Sequence, residues 1–162
     1  MKNKIVIFLF YIFFFLPSYG ENLNIQASSI TIDKKTKITI FKNQVSAKDE
    51  KNNELLTEFA EYDKELELFK TVGETIIFTS EGFVVEGKDM VFDNNKNYIK
   101  SNNPAKIKDL KKNKIYLDNF EYSTSKNFFQ SNGNIKVLDS NKNQYNFSQI
   151  YIDEKKKRNS RN

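Results

Sequence analysis

The 162-residue chain contains no cysteine, no histidine and no tryptophan. Without cysteine no disulfide can brace the fold, so burial and backbone pairing must hold it. Without cysteine and histidine there is no Cys/His zinc site, no thiol nucleophile and no His-based triad. A basic body is lacking too, although the formal net charge is +5. Lys2 and Lys4 sit at one extreme, and Lys155, Lys156, Lys157, Arg158 and Arg161 at the other. That leaves 19 lysines against 21 Asp and Glu over residues 21–154. A nucleic-acid-binding domain is expected to be basic along one face, so no nucleic-acid partner is expected. The tail over 155–162 reads as solvated and disordered.

What the chain does have is aromatic area, in 15 Phe and 8 Tyr. Such side chains carry large apolar surface and are the expected source of burial. Residues 1–20 read as a secretory signal. Lys2 and Lys4 form its positive start, residues 5–16 are an unbroken apolar run of 12, and Pro17 ends the run. Ser18 and Gly20 put small residues where a cleavage site needs them. The alternative is an uncleaved anchor, but a spanning helix needs about 20 apolar residues. No cysteine follows the site, which excludes lipid attachment there. A chain starting near Glu21, outside the inner membrane, is the expectation.

Self-similarity at a period of 30 residues organises the rest. Asp33, Asp63, Asp93 and Asp153 fall on multiples of that period, with Ser123 in the missing place. In the same frame Ile25, Leu55, Val85, Ile115 and Tyr145 form one apolar column. Ile30, Ala60, Met90, Phe120 and Ile150 form a second, and Ile32, Tyr62, Phe92, Tyr122 and Ile152 a third. Ile38, Leu68, Tyr98 and Phe128 form a fourth, and Ala47, Ile77, Ile107 and Val137 a fifth. Positions 25 and 27 share a parity, as do 30 and 32, but the parity switches between the pairs. Alternation with period 2 is a strand with one buried face. A switch inside it is a bulge or bend. Each of five repeats is therefore expected to be a long bent hairpin that crosses from one sheet to another.

The Asp column reads as turns, where the carboxylate can bond following amides. Asn43, Gly73, Asn103 and Gly133 are residue types that tolerate positive φ, and a left-handed residue is expected at each. Strand pieces should follow at 45–47, 75–77, 105–107 and 135–137, and polar links close each repeat. Only residues 54–68 could be mistaken for a helix. The fold class that results is all-β, with two facing antiparallel sheets around one elongated apolar interior.

Several motifs carry a resemblance. They are Ile25-x-Ala27-x-x-Ile30-x-Ile32-Asp33, Asn43-x-Val45, Ala60-x-Tyr62-Asp63, Val85-x-Gly87-x-x-Met90-x-Phe92-Asp93 and Gly133-Asn134-Ile135-x-Val137. Over residues 23–154 the chain resembles the OstA-like family of lipopolysaccharide transport. That family includes the periplasmic bridge LptA, the inner-membrane-anchored LptC and the N-terminal domain of LptD. The segment 81–87 makes the LptD domain the nearest match. The resemblance implies a twisted, slightly open β-jellyroll in the periplasm, associated with outer-membrane assembly. It implies lipid A acyl chains of lipopolysaccharide in an apolar groove, and head-to-tail strand addition to other OstA-like jellyroll domains or to further copies. Two departures stand out. The chain does not continue into a barrel, and the repeat pattern is lost after Lys157, as a frame change or premature stop would produce.

The groove candidates are Ile30, Ile32, Phe59, Tyr62, Met90, Phe92, Phe120, Tyr122 and Ile150. Those nearest the bend, Ile30, Phe59, Met90 and Phe120, are the preferred ones. The edge-strand contact candidates are Ile25, Ala27, Ile30 and Ile32. The same apolar columns could instead form a closed, dry core in a purely structural or interaction module. The carboxylates Glu58, Glu61, Asp63, Glu65 and Glu67 could mimic a catalytic site, but a solvated strand face explains them more simply. The Asp column could suggest calcium, yet one carboxylate per turn does not converge on one ion. No cofactor, no metal and no catalytic residue is expected.

Overall fold

The computed structural model describes residues 23–153. The expected signal segment and basic tail lie outside the described residues. The chain forms β1 (Asn24–Gln26), β2 (Ser29–Ile32), β3 (Ile38–Lys48), β4 (Glu54–Asp63), β5 (Leu68–Phe78) and β6 (Val84–Lys88). It continues through β7 (Val91–Asp93), β8 (Tyr98–Ser101), β9 (Ala105–Lys108), β10 (Lys114–Leu117), β11 (Phe120–Ser123), β12 (Phe128–Leu138) and β13 (Gln144–Asp153). There is no helix among the described residues, and the helix-like stretch from residue 54 is strand β4.

All 13 strands join one antiparallel network. Its pairings resolve into two layers. One runs β1, β3, β4, β5, β6, β9, β10, β12, β13. The other runs β2, β3, β4, β5, β7, β8, β11, β12, β13. The long strands β3, β4, β5, β12 and β13 pass through both layers, while the remaining strands break at the crossing. The two facing sheets therefore share a hinge line made of their own backbone.

Local chemistry explains the hinge. Registers slip between Lys42 and Val45, between Thr57 and Phe59, and between Asn132 and Ile135, each slip being a bulge that re-aims the side chains. Left-handed residues sit there: Asn43 at φ 60°, Gly73 at 83° and Gly133 at 108°. These positions bulge continuous strands rather than ending them, so β3, β5 and β12 run on through the expected turn column. Asn103 departs from the expectation and is absent from the left-handed set. It precedes Pro104, whose ring disfavours helical conformations in the residue before it, and the strand does break there, between β8 and β9.

The far ends of the layers are closed by turns stacked one on another. Asp33 accepts the amides of Lys35 and Thr36, Asp63 those of Glu65 and Leu66, and Asp93 that of Lys96. Ser123 takes the same place with the Lys126 amide. Each turn then bonds the next: Lys64 to the Lys37 carbonyl, Asn94 to Glu67, and Thr124 to Asn97. In the other layer Asp49, Asp109 and Asp139 each hold the amide and side chain of an Asn four residues on. Asn53 and Asn113 in turn accept the amides of Ser80 and Ser140 in the following turns.

The core lies between the layers in two clusters. Phe41, Val45, Ala47, Leu55, Ala60 and Phe69 make one, and Met90, Ala105, Leu117, Phe120 and Ile135 the other. Ile77 and Phe92 pack against both, so the interior is one elongated apolar body.

Candidate functional site

The strand registers turn the sequence columns into continuous cross-strand rows. In the first layer Ile25, Ala47, Leu55, Ile77, Val85, Ile107, Ile115, Val137 and Tyr145 are paired in succession. The first and fifth columns are thus alternate members of a single row. In the second layer the succession is Ile32, Thr39, Tyr62, Phe69, Phe92, Ile99, Tyr122, Phe129 and Ile152. The third column supplies every other member of it. Both rows lie toward the turns, away from the hinge. Their inner members are mostly half-buried, and Phe69 and Phe92 meet edge to face with ring centroids 5.8 Å apart.

The candidates divide by place. Ile32, Tyr62, Phe92 and Tyr122 come together in the second-layer row. Met90 and Phe120 lie at the hinge, Met90 with 0% exposure, and Ile150 packs against their cluster. Ile30 pairs with Phe41 but is 51% exposed, and Ile32 is 65% exposed, because no further strand covers β2 among the described residues. Ile25 and Ala27 pack against the first cluster. Phe59 stands apart from this set. The slip between Thr57 and Phe59 sets it opposite to buried Ala60, on the outer face, between its strand partners Lys42 and Val72. The Lys42 ammonium lies 5.8 Å from its ring centroid.

Sequence reasoning missed the hinge hydroxyls. Thr71, Thr75, Ser101 and Ser131 are buried. Ser101 donates to the Lys88 carbonyl at 2.8 Å and Ser131 to the Asn119 carbonyl at 2.6 Å. Thr71 accepts the Met90 amide at 2.9 Å and the Thr75 hydroxyl at 2.7 Å. A strand break frees backbone groups that must find partners, and these small side chains supply them without filling the hinge. The signal was in the sequence as small hydroxyl residues at 71, 101 and 131, in the 30-residue column that begins with Phe41, but their polar type hid it.

Carboxylates beside the bulges have a similar duty. Asp89 accepts the Gly73 amide at 2.8 Å, Asp118 that of Asn134 at 2.8 Å, and Glu58 that of Gln44 at 3.4 Å. Asp63 caps its turn and Glu65 pairs with Lys37. Backbone amides of Lys35 and Thr36 hold the Asp33 carboxyl below its ordinary range. On the outer face Glu74 raises Lys88 and Glu86 raises Lys106. A shallow concavity there is lined by Glu86, Lys106, Tyr116, Lys136 and Asn146, among others.

Both ends of the network are open. β1 and β2 pair only with β3, and β13 only with β12, among the described residues. The exposed side chains at these ends include Ile30 and Ile32 on one and Tyr145, Phe147 and Tyr151 on the other. Such edges present unpaired backbone groups to another strand.

No protein-family model matches the chain, and no curated protein matches it. Among solved structures it is similar to LptH, the LptA-homologous periplasmic component of the lipopolysaccharide transport device of Pseudomonas aeruginosa. The two are 16% identical, and the match covers 69% of this chain and 82% of that one, with a TM-score of 0.58. The likeness is one of fold, and the fold is that β-jellyroll.

Proposed function

We propose that this chain is a periplasmic lipopolysaccharide-transport module of the OstA-like type, which shields lipid A acyl chains between its layers and joins other jellyroll domains edge to edge. The observation that carries the reading is the pair of facing rows, apolar or aromatic at every position but Thr39, that cross the two layers from β1 and β2 to β13. A structural likeness to a periplasmic component of lipopolysaccharide transport supports it. An acyl chain needs many similar contacts, each buried CH₂ contributing about 0.8 kcal/mol, and no single deep trap. Rows of half-buried Ile, Val, Phe and Tyr offer such a track. The layers are joined at the hinge, while on the far side each ends in its own ladder of turns. Entry is therefore from the turn side, past Tyr62, Phe92 and Tyr122, with Met90 and Phe120 as the sealed floor. The exposed members of β2 and β13 are the surfaces for strand addition.

A photo-crosslinking residue at Tyr62, Phe92 or Tyr122 should capture lipopolysaccharide, while one at Phe59 on the outer face should not. Failure at all three positions in a folded protein would remove the groove. A second reading is favoured by the complete burial of Ala60 and Met90. In it the interior is a dry core and the chain acts only as an interaction module. Edge substitutions would then abolish partner binding in a protein that never takes up lipid.

A further inference from the structure

The β9–β10 hairpin differs in charge from its counterparts in the same layer. Lys108 stands directly opposite Lys114 across the strands. The equivalent pairs are Lys48 with Glu54, Phe78 with Val84 and Leu138 with Gln144. Like charges directly opposite destabilise a hairpin. Its turn adds Lys111 and Lys112, whereas no equivalent turn holds more than one lysine. All four side chains are exposed, and none makes an ion pair among the described residues. Asp109, the one acid of the turn, is occupied by the amide and side chain of Asn113 at 2.9 and 2.7 Å.

Apolar surface lies beside this charge. Leu110, at the tip, is 76% exposed. It reaches over Gly82 in the neighbouring turn, so closely that a Cβ there would overlap its Cδ2. Phe78 and Val84 continue the cross-strand row that holds Lys108 and Lys114, and Phe78 and Phe83 are both exposed. The backbone under these groups is fixed by the Asp109 turn and by the bond from Ser140 to Asn113. A merely solvated edge has no need of four uncompensated lysines around an exposed leucine. A surface that is anionic outside and apolar just beneath matches both parts: lysines meet phosphates and the leucine enters the acyl boundary.

We infer that the β9–β10 hairpin docks the protein onto an anionic phospholipid surface, through Lys108, Lys111, Lys112 and Lys114 around Leu110. The inference does not depend on what the interior carries. The hairpin ends on the turn side of the layers, so docking there sets the opening between the rows against the bilayer.

The test uses the chain from Glu21 onward, which contains every strand described above. Co-sedimentation is measured with phosphatidylcholine vesicles with and without phosphatidylglycerol. Binding should need the anionic lipid and weaken with salt. Changing the four lysines together to Gln should reduce partitioning at least about tenfold, with an unchanged unfolding midpoint. The same change in the lysines and arginines of residues 155–161 should cost less. Because the chain has no tryptophan, Leu110→Trp provides a single reporter, and its emission should shift to the blue only with anionic vesicles. Equal binding to neutral vesicles would overturn the proposal. So would loss of binding through the tail variant alone, or tighter binding to a soluble acidic protein or nucleic acid than to vesicles.

Discussion

The Ser101 hydroxyl bonds the Lys88 carbonyl at 2.8 Å, tying the end of β8 to the point where β6 breaks. Ser131 repeats the contact with Asn119, where β10 gives way to β11. The jellyroll turns its corner by breaking strands, and side-chain oxygens accept or supply the hydrogen bonds that the ladder loses. Removing either hydroxyl takes away a hydrogen bond made by a buried side chain at the corner. Ser101→Ala and Ser131→Ala should each cost about 1–3 kcal/mol in urea unfolding. Ser80→Ala, on an exposed turn, should stay within about 0.5 kcal/mol. Equal effects at all three sites would show that the corner bonds are not what holds the hinge.

Position within a column, rather than residue type, sets the cost of truncation. Met90→Ala opens a cavity in a sealed site and should cost about 2–5 kcal/mol. Ile30→Ala, in the same column but on the exposed edge strand, should change stability by less than about 0.5 kcal/mol. Denaturant midpoints at matched slope decide this.

Gly87 is needed for space. A Cβ there would lie 2.9 Å from Met90 Cε and 3.3 Å from Ala105 Cβ, between two buried side chains. Gly87→Ala should destabilise by about 1–3 kcal/mol through overpacking. The double variant with Met90→Leu, which shortens the contacting chain, should recover part of the loss in the same assay.

Acid should loosen the turn ladders first. The Asn143 side chain, then backbone amides, hold Asp139 below its ordinary value, and the Lys35 and Thr36 amides do the same for Asp33. A depressed carboxyl contributes stability that is present above its unfolded-state value, near 3.8, and is lost as pH falls through the lower folded one. Amide exchange in the 139–143 turn should therefore accelerate below that pH. Asp139→Asn should remove this local acid dependence, and an unchanged profile would count against the assignment.

Open edges predict concentration-dependent assembly. Ile32→Lys and Tyr151→Lys put charge on the two end strands, a known block to strand addition. Sedimentation should show association in the parent chain and a monomer in the double variant, with equal thermal midpoints at low concentration.

Much of this was legible in the sequence. The five apolar columns, the strand class, the parity switch at the hinge and the capping Asp turns all follow from a 30-residue period imposed on a backbone that alternates every two residues. Local chemistry suffices there, because turn capping and side-chain alternation are set within each repeat. Phe59 lies near the bend but on the outer face, because the parity switch that turns Ala60 and Tyr62 inward turns the residue before them out. Thr71, Ser101 and Ser131 went unnoticed because their burial is set by freed backbone groups, not by their own polarity.

Ile30, Ala60, Met90, Phe120 and Ile150 are equivalent by spacing, yet Ile30 is half exposed while Ala60 and Met90 are completely enclosed. The sequence by itself determined that each would face the hinge. Whether each is covered depends on a strand from the next repeat. Only the tertiary structure decides that, since burial belongs to the stack and an end repeat has a neighbour on one side alone.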